Sequence, residues 1–133
     1  MTPDCSNNPR LGNQVNIEGS INVFEAALEA KSKLVVYTSS GGVYGQRDKI
    51  NPFPETHYGA YKLAVEGIAR AYYLEKKLNS FGLRPFVVYG PGREIGGTAD
   101  ISLACKAVVQ DKEYKIAFGG CLLYTSPSPR DRG

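Results

Sequence analysis

A chain of 133 residues, 42% hydrophobic and 22% charged, is long enough to bury one core of its own. Its formal charge of +3, from 16 Lys and Arg against 13 Asp and Glu, is scattered over predicted helix ends and solvent faces (Lys31, Lys33, Lys76, Lys77), so no nucleic-acid stripe emerges. No apolar run reaches membrane-spanning length. The single His57 has no metal-ligating neighbours, and Cys5, Cys105 and Cys121 have neither zinc nor disulfide spacing, which fits a reducing cytoplasm.

In chain order, Met1 to Pro9 is turn-rich and lacks the charged, apolar, small-residue order of a signal peptide; it reads as an internal start. Asn13 to Ala30 reads as a helix, with Ile17, Ile21, Phe24, Ala27 and Leu28 on one stripe. Lys33-Leu-Val-Val-Tyr-Thr-Ser-Ser40 is a β-branched apolar run ending in hydroxyls and then Gly41-Gly42. That is the pattern of a buried parallel strand, over Leu34 to Thr38, delivering polar residues at its carboxyl end. Ligands of open α/β sheets bind at that end.

Gly41 to His57 is expected to be a loop, since no helix runs through Pro52-Phe-Pro54. Tyr58 to Leu78 reads as a second helix, with Val65, Ile68, Ala69 and Tyr72 on its buried face and Gly82 beyond its end. Leu83 to Val88 is the next expected strand, joined to the first by a right-handed parallel crossover. Gly90-Pro-Gly-Arg-Glu-Ile-Gly96 imitates a dinucleotide-binding glycine pattern. Pro91 and the charged Arg93-Glu94 sit inside it, and no acidic residue ends a following strand about 20 positions on, so it reads as an ordinary loop. Arg93 could meet an anionic substrate group, but a solvated surface charge is the favoured reading. Asp100 to Val109 is expected to be a helix capped by Asp100 or Thr98, and Tyr114 to Phe118 a short strand.

The chemistry sits in His57-Tyr-Gly-Ala-Tyr-Lys62. Residues four apart on a helix share a face roughly 6 Å apart, so the Lys62 ammonium can approach the Tyr58 phenol, and a nearby cation favours phenolate. Bringing a tyrosine from about 10 to near 7 requires roughly 4 kcal/mol. One partly buried lysine does not supply all of that; a second positive charge, such as an oxidised nicotinamide ring, would complete it. A serine hydroxyl at the strand end could hold the substrate oxygen, making general acid/base chemistry on a carbinol plausible. Alone, the Tyr-x-x-x-Lys spacing is equally that of an amphipathic core residue.

Three runs then resemble one family: Leu34-Val-Val-Tyr-Thr-Ser-Ser-Gly-Gly-Val-Tyr-Gly45, Tyr58-Gly-Ala-Tyr-Lys62 with Glu66, and Leu83-Arg-Pro-Phe-Val-Val-Tyr-Gly-Pro-Gly-Arg93. With Val15 to Ala26 as the preceding helix, they are similar in content and order to the NAD-dependent epimerase/dehydratase family of the extended short-chain dehydrogenase/reductase superfamily. The likeness runs from about Asn8 to Gly120. It implies an α/β fold: the second half of a Rossmann-like doubly wound parallel sheet, without the Gly-rich first βαβ unit. Residues 1–97 would be the C-terminal half of the NAD(P)-binding domain and 98–120 the start of a substrate lobe, the whole being an internal piece of a longer enzyme.

The resemblance implies Tyr58 as general acid/base, Lys62 as the residue that binds the nicotinamide ribose and lowers the phenol's pKa, and Ser40 as the catalytic hydroxyl. Ser39, Tyr58, Lys62, Pro85, Phe86 and Val88 would line the cofactor, which is NAD by resemblance with NADP equally open. Asn16 falls on a helix asparagine that holds a relay water in related enzymes; a polar residue satisfying helix backbone is the other reading. The implied partners are a small-molecule substrate, such as a nucleotide-sugar, and a second copy of the chain in a homodimer.

Departures from the family pattern narrow the chemistry. Gly41-Gly42 stands where sugar-nucleotide dehydratases carry an acidic pair, which disfavours dehydration. Val87 replaces a substrate-contacting asparagine of several nucleotide-sugar enzymes, and the stretch between Tyr44 and Tyr58 is short, so a simple oxidoreductase of a small hydroxyl substrate stays open beside the epimerase. A non-catalytic piece is the third reading. The run from Cys121 to Gly133, an apolar burst followed by Ser-Pro repeats, suits neither helix nor strand. One choice of codons for it spells a sequencing-library transposase adapter, and it is expected to be non-native.

Overall fold

The amphipathic stripe of residues 17–28 and the apolar face of the tyrosine-bearing helix meet over one side of a short parallel sheet. The computed structural model describes residues 2–45, 50–95 and 99–116, which fall into two units, Met1–Pro85 and a second from Phe86 onward. The first contains helices α1 (Thr2–Asn7), α2 (Pro9–Asn13) and α3 (Gly19–Glu29), strand β1 (Val35–Thr38), helix α4 (His57–Lys76) and strand β2 (Ser80–Leu83). The α/β class and the parallel pairing agree with the sequence reading: Val35 lies opposite Ser80 and Thr38 opposite Leu83, with α4 as the crossover.

Phe24, Val35, Val65, Ala69 and Leu78 form the buried core, with Ala27, Leu28, Tyr37, Ile68 and Tyr72 packed against it. The Phe24 ring is 1% exposed. It meets Tyr37 edge-on at 5.8 Å and stacks on Tyr72 at 5.1 Å, geometries that add to plain area burial. The Tyr72 hydroxyl donates to the Glu25 carboxylate, linking α4 to α3, and this bond pushes the phenol up to about 12.

Several expected boundaries differ. The turn-rich start is helix α1: Pro3 lies in its first turn, where a missing N–H costs nothing. The first long helix begins at Pro9, with the Asn8 side chain accepting from Leu11 N at 3.1 Å, and is interrupted by a π-helical turn over Gln14–Glu18. Helix α4 ends at Lys76, two residues short of the expected Leu78, with Lys77 as its cap in the left-handed conformation at φ 58°. Gly82 lies beyond the helix, as expected, and inside β2: a Cβ there would lie 2.6 Å from the Tyr37 hydroxyl, so only glycine lets that ring lie over the strand.

Strand β2 therefore runs over Ser80–Leu83 and not over Leu83 to Val88. The ladder-like contacts continue as Ser39 N to Leu83 O and Gly41 N to Pro85 O, but Pro85 has no N–H to return. The expectation of a buried first strand is met on one face only. Val35 is buried, whereas Val36, Phe81 and Leu83 are exposed, because among the described residues nothing packs on their side.

In the second unit, Gly90–Ile95 is a loop, as read, with Gly90 and Gly92 at positive φ. Helix α5 (Asp100–Val109) matches the expected span. Asp100 does not cap it; its carboxylate accepts from the Tyr114 hydroxyl at 2.9 Å, and Thr98 lies outside the described residues. Residues 114–116 are not a strand; the rest of that expected strand, and residues 121–133, lie outside the described residues.

Phe24→Ala removes the ring on which both aromatic contacts converge. It is expected to lower the unfolding free energy by about 3–5 kcal/mol, read as a lower urea midpoint; an unchanged midpoint would place the core elsewhere.

Candidate active site

The carboxyl end of β1 turns sharply into a 3-10 turn, Gly41–Val43, and helix α4 begins directly against it. Ser40 is extended (φ −162°, ψ 148°) and its hydroxyl accepts from Gly42 N at 3.1 Å, capping the turn. Thr56 caps α4 in the same way, its hydroxyl accepting from Gly59 N at 3.1 Å. A β-carbon on Gly59 would lie 2.2 Å from the Gly42 carbonyl oxygen, so the absence of a side chain at 59 is what lets helix and turn touch. A β-carbon on Gly42 would lie 3.4 Å from Ser40 Oγ and 3.9 Å from Tyr58 Cδ1, so Gly42 sits between those two side chains. Ser40 and Tyr58 are thereby brought together.

The four-residue spacing acts as expected. Lys62 Nζ lies 5.7 Å from the Tyr58 ring centroid, within cation–π range, and donates to the Thr38 carbonyl at 2.9 Å. Burial lowers the Lys62 pKa, and the neighbouring Cys5 partly opposes this. One ammonium thus sits at the end of β1, near the Tyr58 ring.

Other sequence candidates divide. Ser39 is 1% exposed, and its hydroxyl donates to Glu66; it faces inward. Asn16 is buried in the π-helical turn, and its side-chain amide donates to Gly12 O at 2.9 Å and to Cys5 Sγ at 3.7 Å, which is the backbone-satisfying role. Such π turns occur frequently at functional sites. Pro85 is half-buried with its carbonyl bound by Gly41 N. Phe86 and Val88 lie in the second unit and are exposed.

Sequence reasoning gave no role to the ion pair beneath the turn. Glu66 accepts from Arg84 Nε at 2.8 Å and from Nη2 at 2.6 Å, a two-pronged arrangement, as well as from Ser39. The third Arg84 nitrogen donates to the Tyr44 hydroxyl, and the guanidinium lies 4.9 Å from the Tyr44 ring centroid. Glu66 was visible only as a motif letter and Arg84 as the charged residue between β2 and Pro85. The Thr56 cap did carry a signal: a threonine immediately before a helical run.

Among the described residues no helix is long and apolar enough to cross a membrane, and no cluster of His, Cys, Asp or Glu could hold a metal.

Comparison with known proteins adds the following. The sequence model of the NAD dependent epimerase/dehydratase family matches residues 2–124. UDP-glucuronate 4-epimerase 6 of Arabidopsis thaliana is 40% identical over 93 residues, covering 63% of this chain and 20% of that protein. The 3beta-hydroxysteroid-dehydrogenase/decarboxylase isoform 1 of the same plant is 34% identical over 104 residues, covering 70% of this chain and 24% of that one. Among solved structures, UDP-N-acetylglucosamine 4-epimerase from Methanobrevibacter ruminantium M1, in complex with UDP-N-acetylmuramic acid, superposes with a TM-score of 0.75 at 26% identity over 85% of this chain and 39% of that one. The chain therefore spans less than two fifths of each of these relatives.

Hydrogen bonds from Arg84 hold the Glu66 carboxyl below its ordinary value of 4.5, against a smaller opposing effect of burial. In the unfolded chain that carboxyl takes up a proton first as pH falls. Its contribution to stability is therefore complete above pH 4.5 and is lost as pH drops through the folded-state value. Glu66→Gln is expected to flatten the acid side of the stability–pH profile relative to the unsubstituted protein, as read by thermal melts from pH 7 to 3. Parallel profiles would mean that the ion pair is not formed in solution.

Proposed function

The chain belongs to the NAD dependent epimerase/dehydratase family, and on that premise we propose that the complete protein oxidises a carbinol of a sugar or nucleotide-sugar, as an NAD(P)-dependent epimerase or oxidoreductase, with Tyr58 as general acid/base. The observation that carries the reading is that Ser40 and Tyr58 both lie against Gly42 at the carboxyl end of β1, with Lys62 near the Tyr58 ring and bonded to the Thr38 carbonyl. In this reading residues 1–97 form the second half of the cofactor domain and 98–120 begin the substrate lobe. The exposed apolar faces of β1 and β2 are then covered by helices from the rest of a doubly wound fold.

The donor set suits the ribose and nicotinamide end of such a cofactor: an ammonium near a tyrosine ring at a strand end, where dinucleotides bind in α/β sheets. When bound, the nicotinamide supplies the hydride acceptor. Lys62 would hold the ribose, and its charge would favour the Tyr58 phenolate. Tyr58 Oη would take the hydroxyl proton of the carbinol while the hydride of its C–H bond would pass to the nicotinamide, leaving a carbonyl. Ser40 accepts from Gly42 N, which leaves its own proton to donate to the substrate oxygen. Ser39 would act only from beneath, and Asn16 remains the relay candidate.

Elimination of water is not part of the proposal. A side chain at Gly42 would point between Ser40 and Tyr58, the place for an extra acid or base, and this chain leaves it empty. Between epimerase and dehydrogenase both classes of relative stand close, one a UDP-glucuronate 4-epimerase and the other a hydroxysteroid dehydrogenase/decarboxylase. A homodimer also belongs to the proposal. Exposed apolar side chains are present on both helices that would pair: Val23 on α3, with Leu11 and Val15 just before it, and Tyr73 and Leu74 on α4.

In the complete protein, Tyr58→Phe is expected to lower turnover by roughly 100-fold or more while the cofactor dissociation constant changes less than about twofold, because only the transferable proton is lost. Undiminished turnover would remove Tyr58 from the chemistry. In the unsubstituted enzyme, accumulation of NADH during turnover would assign a dehydrogenase, and its absence an epimerase.

A further inference from the structure

The turn that carries Ser40 is gripped at both ends by one ion pair. At its start, Ser39 is buried and its hydroxyl is held by Glu66. At its end, Tyr44 has its hydroxyl held by Arg84 and its ring against the guanidinium. Glu66 and Arg84 hold each other through two parallel bonds at 2.6 and 2.8 Å, the two-pronged geometry that fixes orientation as well as distance. The two side chains are only 17% and 30% exposed, so water competes weakly for them. Glu66 also stands on α4, one turn beyond Lys62 and two beyond Tyr58, so the clamp is referenced to the helix that carries the other two candidate groups.

We propose that Glu66 and Arg84 are positioning residues: by fixing Ser39 and Tyr44 to helix α4, they set the geometry of the Gly41–Val43 turn and hence the orientation of Ser40 toward Tyr58. The inference rests on the proton-transfer reading of Ser40 and Tyr58. Neither charged residue touches substrate; both act through the turn. Their hydrogen bonds run to each other, to Ser39 and to Tyr44.

The physical consequence is a specific pattern of non-additivity. If the pair acts through Ser40, its loss matters only while Ser40 has a hydroxyl to aim. In the complete protein, Ser40→Ala and Glu66→Gln are each expected to lower kcat, Glu66→Gln by up to roughly 100-fold, the scale of an ångström-sized misplacement. The double variant should be no slower than Ser40→Ala, with the cofactor dissociation constant unchanged throughout. Tyr44→Phe removes one hydroxyl and keeps the ring, and it serves if Glu66→Gln does not fold. It should lower kcat about tenfold alone and not at all in the Ser40→Ala background. Multiplicative losses in the double variants would overturn the positioning role while leaving Ser40 in the chemistry. Full turnover in Ser40→Ala or Tyr58→Phe would instead overturn the underlying reading, and the positioning role with it.

Discussion

The candidate site depends on one close backbone contact. Helix α4 can begin beside the strand-end turn only because Gly59 presents no side chain to the Gly42 carbonyl, which would stand 2.2 Å from any β-carbon there. That contact puts the first turn of α4, with Tyr58, next to Ser40. The helical repeat then carries Lys62 back to the Thr38 carbonyl at the end of β1. The core and the Glu66–Arg84 pair also join strand, turn and helix; Gly59 against Gly42 is the contact that sets how closely turn and helix start approach. The capping hydroxyls of Ser40 and Thr56 each take up one N–H, of Gly42 at the turn and of Gly59 at the helix start.

Beneath this junction lie two layers of different character. The aromatic cluster of Phe24, Tyr37 and Tyr72 fixes α3 and α4 against the sheet by shape and burial. The Glu66–Arg84 pair fixes the loop ends by direction. Burial is non-directional, so a core alone would leave the turn free to rotate on its stem. A bidentate ion pair reaching Ser39 on one side and Tyr44 on the other supplies the missing angular constraint. In the proposed reading, that division gives a catalytic hydroxyl a stable platform and a fixed heading.

Most of the fold and part of the site were legible in the sequence. The buried stripe from Ile17 to Leu28, the strand over Val35 to Thr38, the α4 face of Val65, Ile68, Ala69 and Tyr72, and α5 all follow from hydrophobic period, which burial enforces. The approach of Lys62 to Tyr58 follows from helical spacing alone. What was missed depends on partners distant in sequence. Strand β2 starts at Ser80 because β1 pairs there, and no local propensity marks Gly82 as lying under the Tyr37 ring. The π turn at Asn16 interrupts a pattern that reads as continuous helix. Glu66 and Arg84 are 18 residues apart, and nothing in either neighbourhood announces that they meet.

The most direct measurement of the central claim is the turnover and thermal stability of Gly59→Ala in the complete protein. The added methyl cannot coexist with the Gly42 carbonyl at its present position, so the turn must move relative to α4, at a cost of about 1–3 kcal/mol in stability. With that shift the account predicts a loss of kcat of roughly 100-fold, with the protein still folded and still able to bind the cofactor. A folded Gly59→Ala enzyme with unchanged kcat would show that contact between turn and helix does not set the chemistry, and would contradict the account.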